Sequence, residues 1–411
     1  MKVAIETERQ DLFDISIVIA MRIHILGRVS ETAIEKAFKK AVASHEILNT
    51  RVVLEDDGRA FYYKGDNEIT ESQNVITFES NDWMDILHRE EKIRMRLEDG
   101  QFMKAFVYEM DDSGCGILFL MHHLGGDGKS MVYFIETFMR CLDGETVEPV
   151  EMRTIPAGDM SDEALKDKVG PLMLLPKLYN KRWRADEKHK IFNFDDLDDA
   201  FDCYWEDKAS EIDEYVITPK MVSKIMDRCH RWGIGFTAYI STSFLRFMGR
   251  RLEIGYAVDA REDGNRCMGN QATGISLKYA YNYDKSFEWN AKKVQKLMDK
   301  KLEDEEARNF VLYFMSIFDP SLEDAMNLEH AKSFTSKTSK KISGILGYGK
   351  KCNDLSITNL TKLDIPDTYG DLKVDYFSFI PPVISYGRNI IGLSTLGDCT
   401  IMTIHRINAA S

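Results

Sequence analysis

The sequence contains no long apolar run: nowhere do apolar residues approach the roughly 18 in a row that a bilayer-spanning helix needs, and no membrane span is expected. Proline is scarce, nine in 411 residues, which leaves little room for disordered or collagen-like segments. Paired cysteines are missing too. Cys115, Cys141, Cys203, Cys229, Cys267, Cys352 and Cys399 make an odd count of seven with no CxxC spacing. They read as reduced thiols of a cytosolic protein, neither a disulfide framework nor a zinc site. The first residues, MKVAIETERQ, hold two glutamates and no apolar stretch, so they do not form a signal peptide, and a cytoplasmic location is expected. Positive charge is in deficit: 54 lysines and arginines against 67 acids give a net −13. Such a balance excludes a general attraction to nucleic acid or an anionic membrane and leaves room only for a local basic patch.

What is present is a chain too long for one small core, which implies two domains or two halves sharing an interface. Asp14 to Leu26 alternates with period two through Ile15, Ile17, Ile19, Met21, Ile23 and Ile25, a strand pattern closed by Gly27. Ser30 then caps a helix carrying Ile34, Ala37, Phe38, Ala41 and Val42 at helical spacing. Further strands are expected at Arg51 to Leu54, Phe102 to Met110 and Gly116 to Met121, and helices at Met84 to Leu97 and Met131 to Leu142. Phe192 to Glu214 is dense in carboxylates and reads as a solvated connection. Thr218-Pro219 starts a helix ending at Gly233, a second runs from Thr237 to Met248, and a strand follows through Gly255-Tyr256-Ala257-Val258. Helices are expected at Asp284 to Leu302 and Ala307 to Ile317, and mostly strands after Leu355. Strand-helix order of this kind fits α/β layers. The implied ranges are 1–170, an acidic connection at 171–214, and 215–411.

The chemistry-bearing stretch is Met121-His122-His123-Leu124-Gly125-Gly126-Asp127-Gly128-Lys129-Ser130, where a buried strand gives way to a helix. Neighbouring strand side chains face opposite sides, so one histidine can face a cavity while the other packs. A neutral imidazole is the best general base near neutral pH for a hydroxyl or amine nucleophile. Gly125, Gly126 and Gly128 permit a tight backbone around it. A His-His pair alone would be no more than a polar strand end, but with Asp-Gly at this fixed spacing it arises by chance on the order of once in a thousand such chains.

This HHxxxDG pattern resembles the signature of the CoA-dependent acyltransferase superfamily, which includes chloramphenicol acetyltransferase, plant BAHD enzymes, alcohol acetyltransferases and condensation domains of peptide synthetases. Other segments follow in the family's order. Ala43 to Arg51 (ASHEILNTR) resembles "RHExLRTR", and Phe236-Thr237-Ala238-Tyr239 resembles the "TxxA/L" segment. Val258-Asp259-Ala260-Arg261 with Gly269-Asn270 resembles "VDxR…GN", and Thr358-Asn359-Leu360-Thr361 resembles "SNxG". The likeness runs from about residue 14 to 406. Two departures stand out: Tyr369-Gly370-Asp371-Leu372 replaces the BAHD "DFGWG", and threonines replace the Ser and Gly of "SNxG". The chain therefore looks closest to a stand-alone bacterial alcohol-acetyltransferase-like or condensation-like protein.

The resemblance implies two chloramphenicol-acetyltransferase-like α/β subdomains forming a pseudo-dimer with a tunnel between them. It implies His123 as catalytic base, His122 and Gly128 as structural, and Asp127 as a loop-holding partner of Arg261. Thr358 and Asn359 would line the tunnel and help hold the oxyanion. The expected reaction is direct transfer from acyl-CoA, a co-substrate, to a small hydroxyl or amine acceptor, catalysed by a monomer with no acyl-enzyme, metal or permanent cofactor. Two alternatives stay open: condensation from a carrier-protein thioester, and a non-catalytic binding protein on the same fold. No residues are assigned to CoA.

Overall fold

The computed structural model describes residues 2–65, 73–262, 264–349, 354–385, 387 and 389–409. Cys352 lies outside the described residues, and the other six cysteines are unpaired. The first part of the chain runs β1 (Lys2–Ile5), β2 (Val18–Leu26), α1 (Glu31–Ser44), β3 (Arg51–Leu54), β4 (Ala60–Tyr63), β5 (Val75–Phe78), α2 (Trp83–Glu90), β6 (Met103–Tyr108), β7 (Gly114–His122), α3 (Gly128–Leu142), α4 (Asp162–Val169), α5 (Leu174–Arg184) and α6 (Phe194–Trp205). It continues with β8 (Lys208–Ile217), α7 (Pro219–Trp232), α8 (Phe236–Met248), β9 (Leu252–Asp259), β10 (Ala272–Tyr279), α9 (Phe287–Leu302), α10 (Glu305–Met315), α11 (Pro320–Ala331) and α12 (Lys337–Leu346). The last strands are β11 (Leu355–Lys362), β12 (Thr368–Tyr369), β13 (Leu372–Ile380), β14 (Asn389–Leu396) and β15 (Cys399–Ala409).

Two six-stranded sheets organise these elements, in the orders β12-β13-β2-β7-β6-β5 and β10-β9-β11-β14-β15-β8, beside a small β1-β4-β3 sheet. Period-two alternation decides what each face of the first sheet meets. Along β7, Ile117, Phe119 and Met121 join the large core with α1 and α3, whereas Leu118 and Leu120 join Trp83, Ile86 and Leu87 of α2 on the other face. Both faces are covered, which is why β7 is buried at every position. In the large core Phe134 of α3 sits among Phe38, His45 and Phe119, with ring centroids 6.0, 5.2 and 6.1 Å away. The second sheet has its own core, with α7, α8 and α9 packed on β9, β10, β11 and β14.

The sheets do not divide where the chain does. β13, near the C-terminus, pairs antiparallel with β2 and so completes the first sheet, while α11 and α12 bury residues in the first core. The sheets meet where β14 and β15 pass β13. There a Cβ on Gly392 would stand 2.4 Å from the Phe379 carbonyl oxygen, and Thr403 Oγ1 donates to that same oxygen at 2.6 Å.

Several elements depart from the expectations. The acidic stretch is no open connection. α6 buries Leu197, Ala200 and Tyr204, and β8 pairs along its length with β15 as an edge strand. The density of carboxylates hid a helical apolar stripe, and one of those carboxylates, Asp198, binds Arg94 at 2.6 Å and Arg96 at 2.7 Å. The helix expected to reach Leu97 ends at Glu90, because Arg94 turns inward to bond Glu98 and Asp198. α3 starts at Gly128 rather than Met131, since Asp127 is its N-cap. β10, α11 and α12 are not among the expected elements, although Asp319-Pro320 starts α11 and a Ser336 capping box with Gly347 bounds α12.

Phe134 has no exposed surface. Phe134→Ala is expected to cost about 3–5 kcal/mol by loss of burial and cavity formation, read as a shift of the denaturant midpoint with unchanged m-value.

Candidate active site

The site forms where β7 runs out. His122 is the last residue of the strand, paired in register with Val18, and alternation turns its side chain toward the α2 side of the sheet. Its Nδ1 accepts a hydrogen bond from the Leu124 N–H at 3.1 Å. Burial, with His123 and Arg94 nearby, pushes its pKa down to about 3. His122 is therefore a neutral ring that ties the turn to the strand.

His123 opens a single 3-10 turn, His123–Gly125, after its backbone N–H has donated to Ile17 O at 3.2 Å. Its side chain lines a cavity of about 920 Å³ between the two sheets. The Nδ1 side is buried without a partner in another residue, 3.8 Å from Asp11 Oδ2. Side-chain exposure of 17% leaves Nε2 as the nitrogen that reaches the cavity. Burial lowers its pKa, and the Asp127 charge and its own backbone carbonyl offset this only in part. The ring is thus neutral near pH 7, able to accept a proton.

Asp127 holds the turn from below. Oδ1 accepts from the Ser130 N–H at 2.9 Å, capping α3. Arg261 grips the carboxylate with both terminal nitrogens, Nη1 to Oδ2 at 2.8 Å and Nη2 to Oδ1 at 2.9 Å, and the Gln271 N–H donates to Oδ2 at 2.9 Å. Burial would raise the Asp127 pKa, but Arg261 and the two backbone donors hold it below the usual carboxylate range. Arg261 also donates to Ser130 Oγ at 2.7 Å and to Asp259 Oδ1 at 3.0 Å. Gly269 completes the clasp: Ser130 Oγ donates to its carbonyl at 2.9 Å, and a Cβ there would meet Arg153 O at 1.9 Å at a backbone φ of +151°. Gly128 leaves room for Leu360 and Phe379, which a Cβ would approach at 3.1 and 3.3 Å. His123, Asp127, Gly128 and Thr358 all line the cavity.

The two residues expected at the tunnel wall from the second sheet separate. Thr358 lines the cavity. Asn359 does not: as the next residue of β11 it faces away, donating from Nδ2 to Thr237 Oγ1 at 2.9 Å and accepting from the Thr361 N–H at 2.8 Å. It braces α8 against β11.

Sequence reasoning missed the segment before β2. Glu8 and Asp11 reach the same cavity as His123, and Asp11 Oδ2 accepts from Asn270 Nδ2 at 3.0 Å. Burial raises Glu8 to about 7. Burial, Asp14 and Glu8 together raise Asp11 well above the carboxylate range. Both groups thus hold protons more readily than ordinary carboxylates, which keeps the wall beside His123 low in charge. No motif marks them, because they act through tertiary proximity alone.

Residues 14–153 match the family model of the condensation domain. No curated protein matches the sequence. Among solved structures, the condensation domain from Monacolin K polyketide synthase MokA superposes with a TM-score of 0.66 at 10% identity, over 99% of this chain and 92% of that one. The first condensation domain of the CDA synthetase gives 0.60 at 14%, over 97% and 87%. Polyketide synthase associated protein 5 from Mycobacterium tuberculosis gives 0.58 at 11%, over 99% and 92%. The chain as a whole therefore shares the fold of these condensation-domain structures, and its residues 14–153 match the condensation-domain model.

Removing one side of the clasp should be costly. Asp127→Ala takes from Arg261 its buried, bidentate carboxylate and leaves only the more exposed Asp259; it is expected to lose about 3–5 kcal/mol, read as a lower thermal midpoint, and a variant melting like the wild type would refute the clasp. Glu8 binds its proton more tightly folded than unfolded, so its contribution to stability is present at low pH and is lost as pH rises from about 4.5 to about 7. Glu8→Gln should make unfolding free energy less dependent on pH in that window than it is in the wild type.

Proposed function

We propose that this chain is an acyltransferase that moves an acyl group from a pantetheine-type thioester to a hydroxyl, with His123 as the base. The observation that carries this reading is a neutral His123 whose Nδ1 side is buried and whose Nε2 opens into a cavity between the two sheets. His123 Nε2 takes the proton of the acceptor hydroxyl as its oxygen attacks the thioester carbonyl carbon. The carbonyl π pair moves onto oxygen, and the Thr358 hydroxyl is the group we assign to that oxyanion. When the oxyanion collapses, the C–S bond breaks and its electron pair leaves with sulfur. The imidazolium returns the proton to the thiolate, so ester and free thiol are the products and the ring ends neutral. An amine acceptor would follow the same course and give an amide.

Acyl-CoA is the simplest donor. A second reading, a thioester on a carrier protein, gains support from the condensation-domain match and from the charge of the cavity wall. The lining holds Lys168 and Lys301 against Asp167, Glu253, Asp304 and Glu306 in addition to the carboxylates near His123. Such a wall is short of cations for the phosphates of CoA, whereas a carrier-bound pantetheine arm brings a single phosphodiester that stays at the mouth. Thiol release measured with an acyl-CoA panel, and in parallel with acyl-loaded carrier protein, separates the two donors.

His123→Ala is expected to lower kcat by about 10²–10⁴-fold while the thermal midpoint stays near that of the wild type; retained turnover would sink the base assignment. Because burial lowers the His123 pKa, the acid limb of the kcat–pH profile should lie below the ordinary histidine value of about 6.5.

A further inference from the structure

The net charge of −13 is not spread evenly. From Pro219 to Arg251, through α7 and α8, the chain carries seven lysines and arginines and one carboxylate, Asp227. At the end of this stretch α8 finishes in Arg246-Phe247-Met248-Gly249-Arg250-Arg251, and all six residues are exposed. Phe247 is 85% exposed, Met248 46%, and Tyr283, on the adjoining loop, 63%. Tyr283 belongs to the same surface, since its hydroxyl donates to Arg246 O at 2.7 Å. A soluble protein gains nothing by holding a phenylalanine that far into water, and apolar projections of this kind mark an interaction site.

We propose that the α8 tip is a peripheral attachment point for an anionic lipid surface, with Phe247 and Met248 entering the acyl boundary and the flanking cations meeting the headgroups. Three observations favour lipid over a protein partner. The apolar groups project from a helix end instead of lining a groove. Tyr283 beside them is amphipathic, the type of side chain that collects at membrane–water interfaces. Arg246, Arg251 and Lys285 have no ion-pair partner among the described residues, and only Arg250 is bound, to Asp354 at 3.0 Å. One acid, Asp284, sits on the same loop and is outnumbered by Arg246, Arg251 and Lys285. Membrane affinity of this type adds buried apolar surface to attraction for anionic lipid. No helix among the described residues is long and apolar enough to cross a membrane, so the contact is superficial.

The test is co-sedimentation of the full chain with vesicles of phosphatidylglycerol and phosphatidylcholine, and with phosphatidylcholine alone. The expected result is binding to the anionic vesicles that weakens at high salt. It should drop about tenfold in the double variant Phe247→Ser, Met248→Ser, given the apolar area withdrawn, and should also weaken in Arg251→Glu. Leu174→Ser, a change at another exposed apolar residue, on α5, should leave binding intact. Turnover of a water-soluble thioester should be unchanged in all three variants. Absence of vesicle binding, binding indifferent to both α8 variants, or capture of an acidic carrier protein by this surface in place of lipid would overturn the proposal.

Discussion

One buried ion pair organises this molecule. Asp127 ends the turn that carries His123 and begins α3, and Arg261 reaches it from the other half of the chain. Neither partner has solvent to fall back on, with 5% and 3% of their side chains exposed. A buried pair is worth keeping only if its remaining lone pairs and protons are also satisfied. Here Ser130, Gln271, Asp259 and the Gly269 carbonyl supply that satisfaction for the carboxylate and the two terminal guanidinium nitrogens, while Arg261 Nε is buried without a hydrogen-bond partner. The result is that the loop bearing the base, the cap of α3 and the approach of the second sheet are one structural decision. Gly269, where a side chain would collide with Arg153 O, is part of the same decision.

The second theme is suppression of charge around the base. His122 and His123 are held neutral by burial, and Glu8 and Asp11 are pushed toward their protonated forms. Asp127, the carboxylate closest in sequence to His123, keeps its charge but spends it on Arg261. An imidazolium in this position could not accept a proton, so pairing Asp127 with Arg261 serves the chemistry as much as the fold. Beside the base, where Glu8 and Asp11 hold their protons, small partial charges count for more, because electrostatic interactions strengthen as water is excluded.

The cavity itself depends on how strands are shared. β13 comes from the end of the chain yet closes the first sheet, and β14 and β15 then return to the second. This exchange places Phe379 of β13 and Thr358 of β11 on the wall of one cavity with His123. It also makes the two sheets hard to separate without unpairing β2 from β13.

The local features of this protein are written in its sequence. Ser30 caps α1, the apolar face of α1 is the set Ile34, Ala37, Phe38, Ala41 and Val42, and α7 lies between its Thr218 cap and Gly233. These depend on neighbours three or four residues away, where periodicity and capping chemistry act directly. The HHxxxDG spacing likewise marks two histidines with different surroundings, but His123 lies beyond the strand in a 3-10 turn, so the turn after β7 and not alternation sets its direction. Tertiary structure decided the rest. Whether Thr358 or Asn359 faces the cavity depends on the orientation of β11 between β9 and β14. The acidic stretch became α6 and an edge strand because a partner strand and a core were waiting for it, and charge density alone could not reveal either. Glu8 and Asp11 reached His123 through contacts separated by more than a hundred residues. Their altered protonation comes from burial, a property that no short stretch of sequence contains.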